Sequence, residues 1–404
     1  MNSSLFTPYK LGPVTLRNRT IRSAAFESMG KDFGPTQQLK DYHVSVARGG
    51  IGMTTLAYAA VCRSGLSFNK QLWLRPEIVP GLRDITDAVH REGAAAAIQI
   101  GHCGNMTHWT TAGQMPIGAS SGFNLYAYTP VRGMKKREIE QVARDFGTAV
   151  RTAHDAGFDS VEVHAGHGYL ISQFLSPYTN HRRDEYGGSL ENRMRFMRMC
   201  LGEAVEAARA CGMAITVKHN MYDGFKGGIE IPESIEIAKV IESFGVDGIV
   251  LSGGFVSKAP MAVMRGLIPL YTMSYYSPLW LRYFIRWCGP FMIKQFPFSE
   301  CYFLEDARKF REALKGTLIY VGGLISREGI ERALGSGFEL VQMARALVND
   351  PAFVNKLRAG DESTRSECDH RNYCIARMYS VDMKCCKHCP DLPRKIVEEL
   401  KRLP

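Results

Sequence analysis

One stretch of the chain concentrates side chains able to hold an oxygen and move a proton. It runs Val161-Glu162-Val163-His164-Ala165-Gly166-His167-Gly168-Tyr169-Leu170 and continues through Phe174-Leu175-Ser176-Pro177 and Asn180 to Asn192 and Arg193. His164 ends an apolar β-type run, and His167 and Tyr169 lie on the loop that follows. Two imidazoles and a phenol at the end of a strand can clamp a carbonyl oxygen and deliver a proton to its neighbour. Other readings stand beside this one. A strand-end histidine is often an ordinary core residue, and an HxxH pair can ligate zinc. Zinc needs a third ligand, and Glu162 shares a face with His164 only in an ideal strand.

Placing such a cluster needs a scaffold. Short apolar runs predict strands at 20–25, 52–58, 94–100, 160–164, 214–219, 248–252, 318–322 and 340–344. Amphipathic patterns between them predict helices near 37–48, 77–92, 136–156, 190–210, 232–244, 304–314, 327–334 and 351–357. This alternation is the signature of βαβ units and a parallel sheet. The number of units predicts an α/β fold, a (β/α)8 TIM barrel with its chemistry on the loops after the strands. No GxGxxG or GxxxxGKS/T motif supports a doubly wound nucleotide fold instead.

Within that barrel further residues stand out. Gln99 closes an apolar run, which is unusual for packing alone, and Lys218 ends strand five as a buried cation that needs an anion. An internal salt bridge would also satisfy it. Gly322-Gly323 and Ala344-Arg345 end strands seven and eight, whose loops form the common phosphate site of such barrels. Ser252-Gly253-Gly254 after strand six is a tight turn or a place of close approach.

The whole chain has 404 residues, 45% hydrophobic and 22% charged, with a net charge of +10. Lys and Arg are spread out and no nucleic-acid motif is visible, so the expected partner is a small molecule and not nucleic acid. The start lacks an apolar signal core and no apolar run reaches membrane-spanning length, so a cytoplasmic protein is expected. Six of the 11 cysteines are dispersed, and five crowd the tail.

The 161–193 stretch resembles the signature of the Old Yellow Enzyme family, the NADH:flavin oxidoreductases, which includes the dienoyl-CoA reductases. The similarity runs from about Leu5 to Leu357. It implies an FMN-bearing barrel that takes hydride from NAD(P)H and passes it to the β-carbon of an activated alkene. His164 and His167 would hold the substrate oxygen and Tyr169 would protonate the α-carbon. Arg22-Ser23-Ala24-Ala25-Phe26-Glu27 resembles the segment lying against the flavin, with Ala25 where many relatives carry Thr or Cys. Ala57 would let the flavin approach, Gln99 would meet its pyrimidine edge, and Lys218 would face N1–O2. Gly254 would leave room for the ribityl chain, and Gly322, Gly323, Ala344 and Arg345 would hold the phosphate. A flavin dehydrogenase or demethylase of the same family, or a flavin-binding redox sensor, is the alternative.

The predicted organisation is a barrel over 1–360 and a Cys-rich extension over 361–404, with an N-terminal hairpin and a 255–303 insertion after strand six. Cys368, Cys374, Cys385, Cys386 and Cys389 resemble the four-cysteine region that binds a [4Fe–4S] cluster in dienoyl-CoA reductases. Arg371 stands at one ligand position, so free thiols are favoured over a cluster or a zinc knot, and no metal site is assigned. No second flavin/NADPH domain is expected after the tail. The insertion's aromatics suit an apolar enone site or a dimer face. The 280–287 run is expected to cover the barrel mouth, with contact to a membrane surface as the other reading, and a homo-oligomer is expected.

Overall fold

The structure, a computed structural model, describes residues 4–125 and 127–403, apart from the side chain of Trp280. Eight parallel strands form its centre: β1 (Thr20–Arg22), β2 (Met53–Ala60), β3 (Ala95–Gly101), β4 (Ser160–Ala165), β5 (Ala214–Asn220), β6 (Gly248–Ser252), β7 (Leu318–Val321) and β8 (Leu340–Met343). Each pairs with its sequence neighbour, and β8 and β2 both pair with β1, so the sheet closes on itself. The helices that return the chain are α1 (Gln37–Arg48), α2 (Val79–Arg91), α3 (Lys136–Asp155), α4 (Leu190–Cys211), α5 (Ile231–Ser243), α6 (Leu304–Ala313), α7 (Arg327–Gly335) and α8 (Phe353–Ala359). This is the (β/α)8 barrel expected, with strand ends displaced by only a few residues.

Strand alternation sorts side chains to the two faces of the barrel wall. Val161, Val163, Ile215, Val217, Ile98 and Ile100 point outward into the main core beneath the helices. Ile21, Met53, Ala97, Ala214, Val250, Ile319 and Leu340 point inward and make an apolar floor. The next inward positions toward the strands' C-terminal ends are polar and buried: Ser23, Gln99, Glu162, Lys218 and Gln342. The barrel is thus greasy at the bottom and polar at the top.

The N-terminal hairpin pairs Tyr9–Leu11 with Val14–Leu16 around Gly12, whose φ of +55° suits glycine. Its Leu11 and Leu16 are fully buried and join the apolar floor, so the hairpin plugs the bottom of the barrel.

Helix ends follow local rules. Ser189 caps α4 by accepting from the Asn192 amide, and Gly212 ends that helix at φ +65°. At the end of α1, Gly49 accepts a hydrogen bond from the Asn355 amide of α8, and a Cβ there would lie 1.8 Å from the Pro351 carbonyl oxygen. Gly49→Ala must therefore push α1 and α8 apart, with an expected loss of about 1–3 kcal/mol in denaturant unfolding. A variant as stable as the parent would show that this contact relaxes freely.

The 255–303 insertion is not a loop but a set of helices at Pro260–Met264, Leu270–Tyr276 and Leu279–Met292. It packs on the tail, where helices span Tyr373–Met378 and Arg394–Arg402. Glu399 accepts from the amides of Tyr271 (2.7 Å) and Thr272 (2.8 Å), and the Tyr276 and Tyr373 hydroxyls meet at 2.8 Å. Along Leu279–Met292, Leu279, Tyr283, Trp287 and Phe291 recur every four residues and are exposed by 73%, 70%, 76% and 91%. That ridge faces solvent. Among the described residues no helix is long and apolar enough to cross a membrane.

Candidate active site

The polar layer is a connected network. Glu162 on β4 meets Lys218 Nζ of β5 at 2.8 Å, and also accepts from Gln99 Nε2 of β3 (2.7 Å) and Gln342 Nε2 of β8 (2.8 Å). Gln342 Oε1 takes the Ser23 hydroxyl at 2.9 Å, and Lys218 Nζ lies 3.4 Å from the Ser23 oxygen. All five residues are at most 4% exposed. The anion that Lys218 requires is therefore Glu162, an internal salt bridge, and the Glu162 side chain shares the inward face with His164 in this strand.

Above this layer sit the three expected residues, and the structure does bring them together. The His164 ring centroid lies 5.0 Å from that of His167 and 4.7 Å from that of Tyr169. Tyr58, which sequence reasoning missed, lies 5.0 Å from the Tyr169 ring and 6.1 Å from that of His164. Its hydroxyl bonds Ser67. The Tyr169 hydroxyl hydrogen-bonds to no side chain among the described residues, so it remains a free donor.

The loop is held hard. His167 adopts φ +60°, a left-handed conformation that is costly for a residue with a Cβ and tends to mark functional positions. Its amide donates to Asn220 Oδ1 (3.0 Å), its carbonyl accepts from the Val256 amide (3.0 Å), and its Nε2 meets Ser252 Oγ at 2.7 Å. Asn220 in turn donates to the Gly254 carbonyl (2.8 Å) and to Asp223 (3.2 Å). Gly254 thus serves first as the tight turn that docks the insertion, since a Cβ there would lie 2.6 Å from Val263.

Burial sets the protonation states. It pushes the His164 imidazole well below its usual range, helped by His167 and Lys218, and brings His167 down to about 3. Burial also raises the Tyr169 phenol well above its usual range, with Tyr58 and Tyr379 adding to the shift. Near neutral pH the cluster is two neutral imidazoles and a protonated phenol. The Gly166 amide donates to His164 Nδ1 at 3.4 Å, which leaves the proton on Nε2.

The segment after β1 is fixed from below. Arg22, fully buried, pairs with Glu27 at 2.6 Å and donates to the Thr55 (2.7 Å) and Ala25 (3.0 Å) carbonyls. Glu27 accepts from the Ala57 amide at 3.2 Å. Ala24, Ala25 and Ala57 thereby become a small-residue shelf beside the polar layer. A cavity of about 390 Å³ opens next to it, walled by Ser67, Phe68, Met106 and His108 and by Tyr379 and Ser380 of the tail. None of its lining residues comes from 255–303.

Residues 4–262 match the NADH:flavin oxidoreductase / NADH oxidase family. The chain belongs to that family. Among its relatives, the 4,4'-dithiodibutanoate disulfide reductase of Rhodococcus erythropolis is 40% identical over 378 residues, 93% of each chain. A probable N-methylproline demethylase of Rhizobium meliloti is 32% identical over 96% of this chain, which spans 54% of that protein's length. An NADPH dehydrogenase of Listeria monocytogenes is 37% identical over 64% of this chain and 76% of its own. Two solved structures share the fold. The 2-naphthoyl-CoA reductase complex with 2-naphthoyl-CoA has a TM-score of 0.81 at 23% identity, covering 99% of this chain and 58% of that one. The old yellow enzyme homologue of Zymomonas mobilis has a TM-score of 0.70 at 22% identity, covering 91% and 96%.

Membership makes the protein a flavin oxidoreductase, and its residues fit a flavin. The small side chains of Ala24, Ala25 and Ala57 would let a flat ring approach, and Glu162 keeps the polar ends of Gln99 and Lys218 in place. Gly322 at φ +137° and Gly323 at φ +73° turn the chain after β7 where only glycine is comfortable. Arg345, beyond Ala344 at the end of β8, has no carboxylate within salt-bridge distance among the described residues, as suits a group that awaits a phosphate. In the tail, Cys374 is buried while Cys368, Cys385, Cys386 and Cys389 are half-buried. Among the described residues no three His, Cys, Asp or Glu side chains gather to hold a metal ion.

Gln342 and Asn220 were missed by sequence reasoning, which weighed Glu162 only as a zinc ligand and Ser252 only as part of a turn. Gln342 carried a usable signal, a polar residue inside an apolar strand, the same signal that marked Gln99.

Proposed function

We propose that this family member is an NAD(P)H-dependent FMN ene-reductase acting on α,β-unsaturated carbonyl compounds. The observation that carries the reading is a free, protonated Tyr169 phenol packed against neutral His164 at the mouth of the barrel. FMN, when bound, supplies the hydride to the β-carbon. Ser23, Ala24, Ala25, Ala57, Gln99, Lys218 and Gly254 would border its ring and ribityl chain, and Gly322, Gly323, Ala344 and Arg345 its phosphate.

His164 Nε2–H donates to the carbonyl oxygen as negative charge grows there, and its neutrality keeps it a donor that needs no counter-ion. His167, anchored by Ser252, presents the second imidazole to the same oxygen. Tyr169 gives its proton to the α-carbon, with water kept away by Tyr58, Met106 and Val256. The cavity between Met106 and Tyr379 is the approach for the substrate.

A second reading has a specific support: the relative 40% identical over nearly its full length is a disulfide reductase. There the hydride would go to one sulfur, the S–S bond would break, and Tyr169 would protonate the departing thiolate, giving two thiols. Purified protein reconstituted with FMN distinguishes the readings. An anaerobically reduced sample should be reoxidised by an enone such as cyclohexenone at a saturable rate. Reoxidation by an aliphatic disulfide and not by any enone would replace the first reading with the second, and failure to bind FMN would remove both.

A further inference from the structure

The insertion and the tail meet at the rim of β7 and β8, and they meet through positive charge. Arg345 Nη1 donates to the Arg265 carbonyl of the insertion (2.8 Å) and to Asn372 Oδ1 of the tail (2.7 Å). Asn372 Nδ2 returns to the carbonyls of Arg265 (3.2 Å) and Leu267 (3.0 Å). Gly266 fits there only because it lacks a side chain, since a Cβ would lie 2.7 Å from the His370 carbonyl oxygen. The ring of Phe298 holds the His370 imidazole stacked at 3.5 Å and the Arg345 guanidinium at 5.6 Å. The Arg265 guanidinium lies 5.4 Å from the ring of Tyr302, and Tyr302 itself covers Gly323. Two guanidiniums and an imidazole thus converge on the ends of β7 and β8.

Two of the three have a nitrogen that lacks a partner. Arg265 Nη2 reaches the Tyr222 hydroxyl at 3.3 Å, but Arg265 Nε and His370 Nε2 are buried with no hydrogen-bond partner. No carboxylate pairs with Arg265 or Arg345 among the described residues. Arg265 also sits at φ +40°, which costs a residue with a Cβ free energy that something must offset. A buried donor left without an acceptor costs about 1–3 kcal/mol, and more when charged. An anion with several oxygens would answer both unpartnered nitrogens and still reach the Arg345 guanidinium.

We propose that Arg265 and His370 join Arg345 in one phosphomonoester site, so that the insertion and the tail clasp the ligand's phosphate. The proposal rests on the flavin reading for its first candidate, the terminal phosphate of FMN. The 2'-phosphate of NADPH and free phosphate share the same chemistry. Arg265 and His370 lie in the insertion and the tail, outside the strand-end positions that carry the family resemblance.

The test compares FMN with riboflavin, which differs only in the phosphate, by fluorescence titration of apoprotein. The parent should prefer FMN, and Arg265→Gln and His370→Leu should each cut that preference by about 10-fold or more, with riboflavin affinity unchanged. Arg265→Lys, which keeps a charge, should recover part of it, and inorganic phosphate should compete with FMN but not with riboflavin. If the variants change the ratio of NADPH to NADH affinity and leave the flavin preference intact, the site stands and its phosphate is the nucleotide's. If FMN and riboflavin affinities fall in parallel, or neither falls, Arg265 and His370 only brace the fold and the proposal is overturned. If the parent binds neither flavin, the flavin reading fails separately. Stabilisation of the parent by inorganic phosphate, lost in Arg265→Gln, would then still support the site, and its absence would end it.

Discussion

Tyr169→Phe is expected to slow reoxidation by an enone by about 10²- to 10⁴-fold while leaving reduction by NAD(P)H close to the parent rate. The substitution removes one oxygen that makes no hydrogen bond to a side chain, so it opens no unsatisfied partner. The phenyl ring stays packed between Tyr58 (5.0 Å) and His164 (4.7 Å). Stability should change by less than about 0.5 kcal/mol, which separates a proton-transfer defect from a folding one. Rapid mixing of the two half-reactions gives the answer. Equal slowing of both would mean that Tyr169 shapes the pocket, and no slowing of either would take the proton-donor role away. Loss of disulfide reoxidation alone would place the same proton on sulfur.

The second large effect is thermodynamic. Lys218→Met leaves Glu162 charged, at 2% exposure, with only the amides of Gln99 and Gln342 to face it. Breaking a buried pair this way costs about 3–5 kcal/mol, because the remaining charge has no counter-ion. Lys218→Met combined with Glu162→Gln should recover most of that loss, since an uncharged amide can bond both glutamines. Guanidinium unfolding of the two single variants and the double variant forms a thermodynamic cycle. Additive losses would show that Glu162 and Lys218 do not depend on each other. Flavin affinity should also fall in Lys218→Met, but that effect reports on orientation and not on the pair.

The barrel was readable because each strand is a short apolar run followed by an amphipathic helix, and both periods are local. His164, His167 and Tyr169 were readable for the same reason, lying within one strand and its loop. What escaped depends on contacts between distant parts of the chain. Glu162 could be read as the hub of the polar layer only by knowing that Gln99, Lys218 and Gln342 reach it from three other strands. Lys218 was expected to face either a bound anion or an internal partner, and which strand could supply that partner, Glu162, is not visible locally. The insertion was legible as aromatic and long. Its aromatics were expected to line the substrate site or form a dimer face; in the structure Tyr271 and Tyr276 pack on the tail and the Tyr283–Phe291 ridge faces out. Nothing local marks Tyr379 as a wall of the cavity, because a tail can double back anywhere.

That last placement separates two kinds of change. Gln99, Glu162, Lys218 and Gln342 hang from the strands, where a shift in one disturbs its bonds to the others. Tyr379 and Ser380 line the cavity beside Met106 from a segment that belongs to no strand. Exchange of Ser380 can alter the width and polarity of that cavity, whereas exchange of Tyr379 also bears on the Tyr169 phenol, which it helps to raise.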